Sequence, residues 1–193
     1  MNLPELQEIL ENFHIITNLD IAIIDKDFRV LVRRHSGMEF CTYIHKNPKC
    51  LEKCIASDNI QMRSANESRG LVKYICPFGI YEAIAPIVKN AEVVAYIFLS
   101  MGIAKDDAED VTLTTALDYS ADFDESTLSK YINRIPHYSR EKLDACAELL
   151  PVIAGYIQSK NLLYDTEQSL GQMIKDYVKN NIDKKITLSD LSY

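Results

Sequence analysis

The chain has 193 residues, with 21 basic against 28 acidic side chains and a formal net charge of −7, so taken alone it is not a nucleic-acid binder. Hydrophobic residues make up 47%, enough to bury a core, which excludes a disordered chain; the length fits one ordinary domain with a small extension. No run is long enough to span a bilayer, and the start Met1-Asn-Leu-Pro-Glu5 lacks the basic lead and apolar core of a secretory signal. A cytoplasmic protein is therefore expected, with its five cysteines as thiols or ligands rather than disulfides.

Asn2 and Glu5 stand at capping-box spacing with Pro4 in the first turn, and predict a helix from Asn2 to about Asn18. Leu6, Ile9, Leu10, Phe13 and Ile16 form its apolar stripe, with His14 at the edge as a structural histidine. Ile21–Ile24 and Phe28–Val32 read as strands about the polar turn Asp25-Lys-Asp27. Phe40–His45 reads as a short helix and Asn47–Cys50 as a turn. A further helix opens at Cys50 or Leu51, carries Cys54, Asp58, Ile60, Met62 and Ala65, and ends near Arg69-Gly70. Cys50 and Cys54 are four apart and share a face of it, and Asp58 continues that face by another turn.

Three runs rich in β-branched and aromatic residues come next: Leu71–Gly79, Ile80–Val88 and Glu92–Leu99. Pro77, Gly79 and the polar Lys89-Asn-Ala91 separate them, the pattern of adjacent antiparallel strands. Alternation along the middle run puts Tyr81, Ala83 and Ala85 on one face and Ile80, Glu82, Ile84 and Pro86 on the other, so Glu82 sits among apolar neighbours.

After Gly102 the chain turns helical. Asp106–Ala116 is acidic with weak periodicity, and Asp124–Ile132 is a short helix ended before Pro136. Ser139 starts a long helix to about Tyr164, with Leu143, Cys146, Leu150, Ile153 and Ile157 as its buried stripe and a bend at Pro151. Cys146 is expected to fill core there. A long helix leading out of a domain is a natural dimer contact and a natural lever. Residues 166–193 change character: Leu170, Ile174, Tyr177 and Val178 recur at helical spacing, and Thr187 and Asp190 make a second capping box. The chain stops at Tyr193 barely a turn into that helix, so a segment cut from a longer polypeptide is expected.

The run Ile174–Ile182 followed by Lys185-Ile-Thr-Leu-Ser-Asp-Leu191 resembles the opening of an AraC-type helix-turn-helix domain, without its recognition helix. Upstream, Phe40-Cys41, Cys54-Ile-Ala-Ser-Asp58, Tyr74-Ile-Cys76, Gly79-Ile80 and Ala85-Pro-Ile87 resemble the PocR-type sensory domain, a PAS-like ligand sensor, over roughly Leu6 to Gly102. Met101-Gly102 departs from that family, where Gly-Gln is expected, so the Gln side chain is missing here. The resemblances imply residues 1–165 as a sensory domain and 166–193 as linker and truncated DNA-binding start. They imply a small-molecule effector and DNA binding only by the full-length protein, not by this fragment; the long C-terminal helix points to a homodimer, though its stripe fits intramolecular packing equally well.

The expected fold is α+β: a PAS-like five-stranded antiparallel sheet with covering helices and a long C-terminal helix. Three readings compete for the clustered cysteines. In the first, Cys41, Cys54 and Cys76 line a pocket for a mostly apolar effector such as a short-chain alcohol or diol, and Asp58, Tyr74, Tyr81 and Glu82 anchor its polar groups. In the second, Cys41, Cys50, Cys54 and Cys76, with His45 nearby, hold zinc or an iron–sulfur cluster in a metal- or redox-responsive regulator. The third is a ligand-free dimerisation module with thiols as small core residues. There is no glycine-rich phosphate loop, nucleophile elbow or zinc-protease helix, so no enzyme is expected.

Overall fold

The structure, a computed structural model, describes residues 1–34, 38–105 and 122–163. The elements run α1 (Leu3–Thr17), β1 (Asp20–Asp25), β2 (Val30–Arg34), α2 (Glu39–Ile44), α3 (Pro48–Ser68), β3 (Val72–Ile75), β4 (Tyr81–Lys89), β5 (Glu92–Ala104), α4 (Glu125–Ile132), β6 (His137–Tyr138), α5 (Arg140–Glu148) and α6 (Leu150–Ser159). Five antiparallel strands lie in the order β2-β1-β5-β4-β3, and β6 adds a short parallel pairing to the end of β5. This is the expected α+β, PAS-like sheet with covering helices. The predicted helical stretch after Asp106 and everything from Tyr164 on, including the helix-turn-helix resemblance, lie outside the described residues.

Local chemistry explains the element ends. The Asn2 side chain accepts from the Glu5 N–H at 3.4 Å and donates to the Glu5 carboxylate at 2.9 Å, so α1 starts at the expected cap. Asp25 Oδ1 accepts from the N–H groups of Asp27 and Arg29, both at 2.8 Å, and closes the β1–β2 turn. α3 begins two residues earlier than the cysteine spacing suggests. Asn47 caps it and Pro48 takes the first turn, where its missing N–H costs nothing. The long C-terminal helix is divided at Leu149, because Pro151 cannot donate back into the preceding turn and instead opens α6.

Strand alternation divides the core between two faces. On one face Ile21, Ile23, Tyr81, Ala83, Ala85, Ile97 and Leu99 meet Leu6, Leu10 and Phe13 of α1 and Leu143, Cys146, Leu150, Ala154 and Ile157 of α5 and α6. The alanines at the middle of β4 let the helices approach closely. Cys146 fills this core, as its spacing suggests, and His14 Nδ1 lies 2.9 Å from the Leu19 carbonyl oxygen. On the other face α3 lays Met62 and Ala65 over Ile24, Ile84 and Tyr96. Beyond it, α2 and α4 close a separate cluster around Phe40, Ile44, Phe78, Ile80 and Leu128. The two ends of this body meet: the Asn2 N–H donates to the Leu162 carbonyl at 2.8 Å.

The β4–β5 ladder carries an irregularity at its far end. Tyr81 pairs with Gly102 but Glu82 pairs with Ser100, so Met101 is an extra residue in β5, a β-bulge. Gly102 has φ +124°, and a Cβ there would lie 2.3 Å from the Pro136 carbonyl oxygen. That carbonyl also accepts from the Ile103 N–H at 2.9 Å. Neither backbone can retreat cheaply, so Gly102→Ala is expected to lower stability by roughly 2–4 kcal/mol, read as a fall in the midpoint of urea unfolding with an unchanged slope.

Candidate functional site

The register sets four polar side chains in one line across the sheet. Tyr74 on β3 pairs with Glu82 on β4, Glu82 with Ser100 on β5, and Ser100 with Asp20 on β1. Directly paired residues share a face, so this polar row crosses four strands on the side that carries α2 and α3. The residues two along each strand on that face, Val72, Ile84, Phe98 and Ala22, are apolar.

The row borders a cavity of about 400 Å³. Asp20, Glu82 and Ser100 supply its floor, Cys54 and Asp58 of α3 one wall, and Cys41, His45 and Ile44 of α2 and its end another. Phe28, Val30, Arg33 and Arg34 stand along the β1–β2 side, and Arg34 is ion-paired to Glu11 of α1. Five of the seven residues expected to contact an effector therefore line one space: Cys41, Cys54, Asp58, Cys76 and Glu82. Tyr74 sits one layer back and donates its hydroxyl to Asp58 at 2.8 Å, so it orients that carboxylate. Tyr81 does not join them. As the residue before Glu82 it points through the opposite face and donates to Asp144 of α5 at 2.6 Å. Asp20, Ser100 and His45 complete the polar lining. Ser100 lies one residue past the expected strand end, and its place opposite Glu82 depends on the bulge, which no spacing reveals. His45 is among the lining residues, and its Nε2 is buried with no hydrogen-bond partner among the described residues.

The electrostatics of the cavity follow from burial. Glu82 is 7% exposed. Loss of water, and then the nearby Asp58 carboxyl, raise its pKa to about 8, although Tyr74 and Ser100 hydrogen bonds pull the other way. The Ser100 hydroxyl donates to it at 3.3 Å. Burial also raises Asp58, with the Tyr74 bond in opposition. At neutral pH Glu82 is thus mostly a neutral acid, a donor beside the Asp58 carboxyl. Burial lowers the pKa of His45, which stays neutral.

The same two influences decide the cysteines. All five are free thiols. Burial, then the Glu82 and neighbouring carboxyls, push Cys41 and Cys76 far above the ordinary thiol value, and burial, then Asp58, pushes Cys54 to about 12. They remain S–H groups at neutral pH, and it is the thiolate that attacks or ligates. Cys50, the fourth member of the expected metal set, does not line the cavity and is buried in the cluster of Phe40, Ile44 and Phe78, which also takes in Cys76 and has Cys41 and Cys54 packed against it. Among the described residues no group of three or more His, Cys, Asp or Glu side chains is placed to hold a metal ion. The zinc or iron–sulfur reading of Cys41, Cys50, Cys54 and Cys76 therefore gains no support from the arrangement: all four belong to or pack against one cluster, but Cys50 does not line the cavity that the other three border.

An antiparallel sheet with helices over both faces and a half-open hollow between the sheet and α2 and α3 is a PAS-like arrangement. The chain matches the model of the family described as the sensory domain found in PocR over residues 1–162, and it belongs to that family. That family is one of sensory domains, not of enzymes. No curated protein and no solved structure matches the chain. Among the described residues no helix is long and apolar enough to cross a membrane.

Glu82 pays for its place in the sheet with stability. Its pKa in the fold lies above the ordinary carboxylate value, so its stabilising protonation is complete below about pH 4.5 and lost as pH rises through about 8. Glu82→Gln removes that dependence. The variant is expected to gain roughly 2–4 kcal/mol more over the native chain at pH 8.5 than at pH 5, measured by urea unfolding at the two pH values.

Proposed function

We propose that this chain is the effector-binding part of a transcriptional regulator and that the cavity takes a small hydroxyl-bearing organic molecule, a short-chain alcohol or diol. The observation that carries the reading is the buried Glu82–Asp58 pair opening on a hollow of about 400 Å³. Among the described residues no cation holds Glu82 ionised; a buried carboxyl of this kind weakens the fold, and such a group is usually kept for what it binds. A hydroxyl both donates and accepts. The neutral Glu82 acid donates to one hydroxyl of a diol, and the Asp58 carboxylate accepts from the other. His45 Nε2 is within the same lining as a third polar contact, and the Cys41, Cys54 and Cys76 thiols face the carbon skeleton as soft, weakly polar surface.

In this reading occupancy favours one packing of α5 and α6 over another, and those helices pass the change to an AraC-type DNA-binding domain in a homodimer. A redox or metal sensor accords poorly with thiols held protonated. A filled, ligand-free dimerisation module accords poorly with a hollow lined by carboxyls.

Calorimetric titration with propane-1,2-diol, butane-2,3-diol and n-propanol tests the proposal. With only about four to six non-hydrogen atoms, such ligands are limited to about micromolar affinity at best, from a ceiling of about 1.5 kcal/mol per atom. Binding of one molecule per chain is expected for at least one diol, and none by any of them sinks the reading. The affinity is expected to hold steady from pH 6 to 7 and to fall as pH rises through about 8, because Glu82 then loses the proton it donates and sets a second charge beside Asp58. Glu82→Gln keeps a donor and flattens the profile, whereas Glu82→Leu is expected to weaken binding about tenfold or more.

A further inference from the structure

We propose that Tyr81 and Lys73, with Asp144 and Glu148 of α5, form a latch through which the state of the cavity is felt by the helices on the opposite face of the sheet. The inference rests on reading the cavity as the effector site and adds the route by which it is reported.

Two pairs of consecutive residues carry it. Lys73 and Tyr74 are neighbours on β3, and Tyr81 and Glu82 are neighbours on β4. Strand alternation sends one of each pair to each face. Tyr74 and Glu82 pair with each other at the cavity. Lys73 and Tyr81 project to α5, where Lys73 Nζ lies 3.0 Å from Asp144 and 3.1 Å from Glu148, and Tyr81 donates to Asp144 at 2.6 Å. The Arg140 guanidinium lies 5.0 Å over the Tyr81 ring.

These contacts are not equal. The lysine pairs are partly solvated and contribute little. Tyr81 is buried and its bond to a carboxylate is short, the stronger kind. The Tyr81 hydroxyl, then Lys73, hold Asp144 below the usual carboxylate range, so the acceptor stays ionised at neutral pH.

The geometry supplies a moving part as well. The register shift between Tyr81 and Glu82 places the β-bulge at this step, opposite Met101. A bulged ladder can change its local twist where a regular one resists. A guest that pulls on Glu82 and Tyr74 turns this end of β3 and β4. A bond of 2.6 Å tolerates only a few tenths of an ångström before it weakens, so α5 either moves with the strands or is released. Leu143, Cys146 and Ala147 tie α5 into the core, and α6 begins directly after Leu149, so the choice reaches both helices.

Amide hydrogen exchange over residues 140–150, read by mass spectrometry, tests the latch without any ligand. Glu82→Gln perturbs the cavity side, and Tyr81→Phe removes the latch hydroxyl while keeping the ring. Glu82→Gln is expected to change exchange in α5 about threefold or more in the native background and less than about 1.5-fold in the Tyr81→Phe background. An equal effect in both backgrounds, or none in the native one, overturns the proposal. Asp58→Asn on the cavity side and Asp144→Asn on the helix side repeat the cycle if either first variant fails to fold. Diol titration of the native chain is a separate experiment: absent binding would refute the effector and leave the exchange result standing, and the converse also holds.

Discussion

Burying a carboxyl group is the constraint around which this structure is arranged. Glu82 stands in the middle of a sheet whose neighbouring rows are apolar. Without partners such a group would be pushed out or the strand would slip by one residue, turning every side chain of β4 to the wrong face. Two things prevent this. Hydroxyls from the strands on either side, Tyr74 and Ser100, hydrogen-bond the carboxyl from within the sheet. The tightly filled opposite face, built from Ala83, Ala85, Ile97 and Leu99 against α1, α5 and α6, fixes the register. The cavity is what is left on the Glu82 side, where α2 and α3 meet the sheet around polar groups that resist being packed dry.

Much of this arrangement is legible from residue spacing. The capping pattern at Asn2, the stripe of α1 as far as Phe13, the three runs from Leu71 to Leu99 and the opposite facing of Tyr81 and Glu82 all follow from periods of 3.6 and 2, whereas Ile16, expected to end that stripe, is exposed and Thr17 is buried beside it. Placing Tyr81 among the effector contacts sets aside that last alternation, and the structure returns it to the α5 side. The start of α3 is hidden because Asn47-Pro48 reads equally well as a turn and as a capped helix start. The polar row itself is not readable. It joins residues 20, 74, 82 and 100, and its alignment depends on the one-residue bulge at Met101, a property of strand pairing rather than of any one segment.

The cysteines show how context overrides composition. Four thiols within Cys41–Cys76 suggest chemistry that thiolates perform. The fold sets three of them beside carboxyls in a water-poor space, where neither group can ionise without working against the other. The result is a lining in which weakly polar thiols stand beside the Asp20, Asp58 and Glu82 carboxyls and the His45 imidazole. Cys50, one helical turn from Cys54, is buried in the aromatic packing under α2, and Cys54 packs against that cluster while also lining the cavity.

The hydrogen bond from Asn2 to Leu162 has a geometric consequence of its own. Polypeptide joined before α1 and polypeptide joined after α6 depart from a single corner of the body. A unit of this shape can be spliced between two segments of a host chain while leaving their separation nearly unchanged. It also means that a tug on either flank is borne by the same few backbone atoms, so neighbours on both sides have one shared point of leverage.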